Sequence, residues 1–148
     1  MTTYIQNKKA RFDFEVLDTF EAGLVLNGFE VKGIRAKRGK LEGAHVIVRG
    51  GEAYLVGSSI TPLQPLNVPK SYDPERPRKL LLSKKELALI ENKTETAGLT
   101  AIAVRLYNNN RKVKLELAIA RGKKKQDKRE SIKARDVKRD IDRTLKSQ

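Results

Sequence analysis

The chain has no cysteine and no tryptophan, and only one histidine, His45. Without thiols it can form no disulfide, no cysteine-ligated zinc site and no thiol nucleophile, so its stability must come from packing. With one imidazole there is no multi-histidine metal site, and any Ser-His-Asp arrangement would rest on His45 alone, at the start of a predicted strand. A structural or surface role for that residue follows. Asp13, Glu15 and Asp18 lie close together, but their spacing suits the solvated side of a strand and a helix cap rather than a paired acid and base. No G-x-x-x-x-G-K-[ST] phosphate loop occurs. The sequence therefore carries no recognisable catalytic motif, metal ligand set or cofactor motif, and its carboxylates leave metal-dependent nuclease chemistry open but unsupported. It also lacks an apolar run of membrane-spanning length, and residues 1–20 lack the uninterrupted apolar stretch of a signal peptide. The cytoplasm is the expected location.

Negative charge is scarce as well. Lys and Arg number 32 against 18 Asp and Glu, a net charge of +14 in 148 residues. A field of that sign favours a polyanionic partner, with nucleic acid first among the candidates. The excess is unevenly placed: residues 121–148 hold 12 basic and 5 acidic side chains, a +7 that is half of the total. Few apolar side chains accompany them. Residues 1–120 are enough for one domain with a hydrophobic core. The expected organisation is a folded domain over 1–120 and a basic tail over 121–148.

Within the domain, Phe12, Phe14 and Val16 alternate with acidic residues and predict a first strand. Asp18 and Glu21 have the spacing of a capping box, and Gly28 suits the left-handed position that ends a helix, which favours a helix over 19–27. A hairpin turning at Asn27-Gly28 competes with it. Residues 29–35 return to strand spacing. Strands over 45–49 and 52–56 flank Gly50-Gly51, a hairpin signal. Residues 61–77 contain all five prolines and read as a surface loop. Ser83 and Glu86 form a second capping box, with Leu82 and Leu87 at staple positions, and predict a helix from 84 to about 93. Two last strands, 99–107 and 112–120, join across Asn108, Asn109 and Asn110. In the second, Val113, Leu115, Leu117 and Ile119 face a core while Lys112, Lys114 and Glu116 face solvent. About six short antiparallel strands with two or three small helices favour a mainly β, OB-like barrel.

Four stretches, in this order, carry a family pattern: NKKARFDFEVLDTFEAGLVLNGFEVKGIRA, SITPL, DPERPRKLLLSKKEL and GKKKQDKRESIKARD. From Asn7 to its C-terminus the chain resembles the SsrA-binding protein (small protein B) family, the bacterial partner of transfer-messenger RNA. The resemblance implies an OB-like barrel that binds the tRNA-like domain of that RNA. It also implies entry into the vacant decoding site of a stalled ribosome, with elongation factor Tu in the alanyl-RNA delivery complex and no membrane partner. The expected role is that of a binding factor, not an enzyme. Positions matching the family's RNA contacts are Asn7 in NKKAR, Glu21 in FEAG and Leu81 in RKLLL, with Lys8, Lys9, Lys32 and Lys79 as basic neighbours. Asn7 can donate and accept, Glu21 can accept from a 2′-hydroxyl or an exocyclic amine, and Leu81 can pack on an exposed base. The residues alone leave other readings open, Glu21 as part of a capping box and Leu81 as core. Lys37-Arg38-Gly39-Lys40 follows Ile34-Arg35-Ala36 where the family commonly has a Gly-Lys pair, and Gln126 stands where an aromatic or histidine is common.

A helix over 127–146 would place Arg135, Arg139 and Arg143 on one row and Val137, Ile141 and Leu145 on another. That apolar row is too thin for a core. A lone helix of about 20 residues is marginal in water, so the expected free tail is disordered and orders against a polyanionic wall, reaching about 30 Å. The resemblance makes it a probe of the ribosome's empty mRNA channel. Its residues are Gly122, Lys123, Lys124, Asp127, Lys128, Arg129, Ile132, Lys133, Arg135, Arg139 and Arg143, with Gly122 as the hinge. Composition alone also admits a resident ribosomal protein or a nucleic-acid-processing enzyme.

Overall fold

The computed structural model describes residues 2–96 and 98–122. In chain order they form β1 (Thr3–Gln6), α1 (Ala10–Asp13), β2 (Phe14–Leu24), α2 (Gly28–Arg35), β3 (Gly39–Lys40), β4 (His45–Arg49), β5 (Glu52–Val56) and β6 (Ser59–Ile60). A 3-10 turn (Pro65–Asn67), β7 (Arg78–Leu81), α3 (Lys84–Thr96), β8 (Thr100–Asn109) and β9 (Lys112–Gly122) follow. Six strands close an antiparallel barrel in the cycle β8-β4-β5-β7-β2-β9, because β9 pairs with both β2 and β8. Closure removes the open edges that a sheet of this size would otherwise expose. β1 then lies along β8 beyond the end of β4: Ala101 and Ile102 pair with β4, and Arg105 to Tyr107 with β1. The mainly β barrel expected from strand spacing is the observed fold.

Alternation fills the interior. Val113, Leu115, Leu117 and Ile119 of β9 are buried against Ala22, Leu55, Leu80 and Leu106. Ile90 of α3 is fully buried in the same cluster, with Leu87 packed beside it. The cap of α3 is the expected one: Ser83 Oγ accepts from the Glu86 N–H at 3.1 Å, and Glu86 Oε1 accepts from the Ser83 N–H at 3.1 Å. The β4–β5 hairpin turns at Gly50 and Gly51 with φ of 59° and 75°, as the glycine pair requires. The β8–β9 hairpin is tighter than expected and turns on Asn110 and Arg111, both left-handed at φ 52° and 64°.

Between 14 and 35 the expected order of helix and strand is reversed. Residues 19–24 continue β2, and 28–35 form α2. Asp18 and Glu21 make no capping box: Asp18 Oδ1 accepts from the neighbouring Thr19 N–H at 3.0 Å, beside a bulge, and Glu21 bonds across the sheet. The working cap is at Asn27, whose N–H donates to Glu30 Oε1 at 2.8 Å, so Asn27-Gly28 starts a helix. Tertiary contacts decide this. Glu30, Gly33 and Ile34 bury one face at helical spacing, and a Cβ on Gly33 would lie 2.5 Å from Thr61 O. Glu30 accepts from Arg78 Nη2 at 2.9 Å and the Tyr72 hydroxyl at 3.1 Å, and pairs with Arg76. Arg78 Nη1 reaches Ser58 Oγ at 3.2 Å. This buried network ties α2 to the proline-rich loop and to β7. At the other margins, Phe12 belongs to α1, and β9 continues to Gly122, two residues past the expected end at Ala120. Gly122, expected as a hinge, is a strand residue opposite Phe14. Lys123, Lys124, Asp127, Lys128, Arg129, Ile132, Lys133, Arg135, Arg139 and Arg143 lie outside the described residues.

Candidate nucleic-acid interface

The expected RNA contacts fall into two groups. At the C-terminal end of β2, Gly23 sits between Leu81 of β7 and Lys114 of β9. A Cβ on Gly23 would lie 3.3 Å from Leu81 Cβ and 3.6 Å from Lys114 Nζ, so the missing side chain lets leucine and ammonium converge. Leu81 is 54% exposed, which removes its reading as core. Beside it a cleft of about 360 Å³ is lined by the apolar Leu26, Val31 and Leu81 together with Arg35, Arg111, Lys112 and Lys114. An unstacked base flanked by phosphates needs that combination. Arg35 Nη2 donates to Arg111 O at 2.9 Å and fixes the β8–β9 turn over the cleft.

Glu21 lies two residues before Gly23, and its Oε2 accepts from the Tyr107 hydroxyl and from Asn109 Nδ2, the latter at 2.9 Å. The Tyr107 bond first, then the Asn109 bond, hold the Glu21 carboxyl below its ordinary range, outweighing burial, with smaller help from Lys114 and Arg105. It is therefore an anionic acceptor at neutral pH. Burial and the Glu21 carboxylate push the Tyr107 hydroxyl up, so it stays a donor. The Arg105 guanidinium stacks 4.1 Å over the Tyr107 ring and pairs with Glu116 at 2.6 Å. Lys79 alternates onto the same exposed side of β7 as Leu81, with its ammonium paired to Glu52 at 3.1 Å. Lys32 is exposed on α2 and lines a separate hollow with Phe29, Leu63 and Asn67.

Asn7 belongs to the opposite end. Its Nδ2 donates to Ala103 O at 2.9 Å, between the segments of β8 that pair with β4 and with β1. Its Oδ1 is buried and has no hydrogen-bond partner among the described residues. Asn7 lines a cavity of about 320 Å³ with Lys9, Ala10, Phe14, His45 and Ile102. Lys8 is exposed next to it. Phe14 and Gly23 mark the two ends of β2, about 30 Å apart at strand rise. Gly122, the last described residue of β9, pairs with Phe14 and so lies at the Asn7 end. Among the described residues, no group of three or more His, Cys, Asp and Glu could hold a metal ion. No described helix is long and apolar enough to cross a membrane.

A sequence profile of the family described as "SmpB protein" matches residues 4–147. The chain belongs to the SmpB family. It is 46% identical over 146 residues to the SsrA-binding protein of Chromohalobacter salexigens, covering 99% of this chain and 93% of that protein. With the SsrA-binding protein of Enterococcus hirae the identity is 45% over 142 residues, 96% of this chain and 92% of the relative. A chain of a solved structure described as "tmRNA-SmpB: a journey to the center of the bacterial ribosome" matches with a TM-score of 0.68 and 39% identity, covering 86% of this chain and 92% of that one. The fold shows how the motifs of this SmpB family member are spread. NKKAR runs into α1 ahead of β2, FEAG lies near the C-terminal end of β2, and RKLLL supplies β7. Sequence reasoning missed Lys114, Arg35, Arg111, Tyr107 and Asn109 as parts of the site. The alternation on β9 put Lys114 on the solvated face, but only the register through Gly23 brings it beside Leu81.

Proposed function

We propose that the chain is a ribosome-rescue factor that binds transfer-messenger RNA at the Gly23 end of its barrel and acts with it on the ribosome in trans-translation. The observation that carries this reading is the convergence of Glu21, Leu81 and Lys114 around Gly23, in a chain of the SmpB family. It acts by binding and performs no catalysis. Glu21 accepts a hydrogen bond from the RNA, Leu81 supports an unstacked base, and Lys114, Arg35, Arg111 and Lys112 meet phosphates, with Lys79 at the margin. The tRNA-like domain of the RNA is the part bound, and elongation factor Tu joins the alanyl-RNA delivery complex. The Asn7, Lys8 and Lys9 end faces the small-subunit decoding centre, and the segment after Gly122 enters the vacant mRNA channel. This division is supported by the pairing of Gly122 with Phe14, at the other end of β2 from Gly23. All of these events belong to the cytoplasm.

The test compares the full chain with one ending at Gly122. Both are titrated with the tRNA-like domain in the presence of a tRNA competitor, and both are assayed for tagging on stalled ribosomes. The shortened chain is expected to keep selective binding and to lose tagging. Loss of selective binding on truncation overturns the division between the two ends.

A further inference from the structure

Both hydrogen bonds that hold Glu21 end on the same oxygen. The Tyr107 hydroxyl and Asn109 Nδ2 donate to Oε2, and among the described residues no hydrogen bond ends on Oε1. Tyr107 is itself fixed, 4% exposed and covered by the stacked Arg105, which is anchored by Glu116 and by Thr3 Oγ1 at 2.8 Å. Asn109 is the last residue of β8, next to a turn that Arg35 holds. The Glu21 side chain is exposed, so without these two donors its carboxylate would rotate freely. We propose that Tyr107 and Asn109 are positioning residues that clamp Glu21 by one oxygen and present Oε1 as a single, oriented acceptor for an O–H or N–H donor of the bound RNA.

This inference rests on the reading that Glu21 contacts RNA, and it adds what Glu21 contributes there. In a field of +14 the lysine and arginine side chains reward any phosphate. A fixed carboxylate does the opposite: it repels phosphate and accepts only from a donor, so it discriminates where the cations cannot. A freely rotating carboxylate would also satisfy itself with water or with Lys114 and would lose most of that selectivity. The donor is a 2′-hydroxyl or a base amino or imino group, which share this chemistry.

The clamp is tested in the full chain with Tyr107→Phe, Asn109→Ala and Glu21→Ala, alone and combined, by binding to the tRNA-like domain with and without tRNA competitor. Glu21→Ala is expected to lower selective binding, which tests the underlying reading; no change there overturns that reading and the clamp with it. Given that loss, Tyr107→Phe should weaken selective binding about tenfold, as for a hydrogen bond to a charged group. It should have no further effect in the Glu21→Ala background. An equal loss in both backgrounds means that Tyr107 acts otherwise, and overturns the clamp alone. Asn109→Ala, at the half-buried end of β8, repeats the comparison. A second readout needs no RNA. The groups facing Glu21 are Tyr107, Asn109 and Arg105 from β8 and Lys114 and Glu116 from β9, and of these only the hydroxyl is removed by Tyr107→Phe. The carbon resonance of the Glu21 carboxyl should therefore titrate at higher pH in that variant, and an unmoved titration counts against the clamp. Interference mapping with 2′-deoxy analogues and with base analogues that lack each amino or imino N–H separates the donors. A position that interferes with the wild type and not with Glu21→Ala identifies the group, and the absence of any such position overturns the acceptor role.

Discussion

The two ends of β2 solve opposite problems. At the Gly23 end the acceptor and the turn are held before RNA arrives: Glu21 by Tyr107 and Asn109, and the Arg111 turn by Arg35. At the Phe14 end Asn7 spends its donor on Ala103 O and keeps a buried acceptor with no partner among the described residues, beside an open cavity. A preorganised surface spends little ordering entropy on binding and can be selective. An unpartnered buried acceptor instead costs on the order of 1–3 kcal/mol, which a donor from outside would recover. One end is complete among the described residues and the other is not.

The largest effect on this comparison should come from Glu30, below the complete end. Glu30→Gln removes the charge that the fully buried Arg78 faces, at a cost of about 3–5 kcal/mol in urea unfolding. Loss of α2 and β7 packing should then take the Gly23 cleft with it. The same carboxyl gives a pH axis. Burial alone would raise it, but Arg76, the Asn27 N–H and Arg78 together hold it below its ordinary value of 4.5. A carboxyl lowered in the folded state contributes stability above its unfolded value and loses it as pH falls through the folded one. Wild-type stability should therefore decline below about pH 4.5, and the Glu30→Gln variant should lack that part of the decline.

A smaller effect is expected at the incomplete end. Asn7→Asp keeps the shape of the side chain but turns the donor that meets Ala103 O into an acceptor, for a loss of about 1–3 kcal/mol. Thermal unfolding should show that loss while selective binding of the tRNA-like domain at the far end changes little. A matching loss of RNA selectivity would mean that the two ends are not separate.

Legibility in the sequence followed the range of the contacts that decide each element. The α3 cap, the Gly50-Gly51 hairpin and the alternation of β9 are local, and all are read correctly from residues within a few positions of one another. Asp18-x-x-Glu21 and Asn27-x-x-Glu30 offer the same cap spacing, and nothing nearby says which is used. The choice is made by Arg76 and Arg78, more than 40 positions away, which can satisfy a buried Glu30 only on a helix facing them. The interface behaves likewise. Glu21 and Leu81 were visible through family motifs, whereas Lys114, Tyr107 and Asn109 join them only through strand register. Asn7 carries another motif of the same family pattern, and the barrel places it beside Phe14, toward the other end of β2.

The smallest change in stability should accompany the most informative change in binding. Leu81 is 54% exposed, so Leu81→Ala removes little core packing and should shift unfolding by no more than about 0.5 kcal/mol. If the side chain supports an unstacked base, its truncation should still weaken the tRNA-like domain complex about tenfold. Leu89→Ala on α3 removes the same atoms from a side chain that is 39% exposed and lies outside the cleft, and it should leave binding unchanged. Equal losses from both leucines would point to general stickiness of exposed apolar surface. A loss confined to Leu81 ties the apolar contact to the point where Gly23 lets β7 and β9 side chains meet.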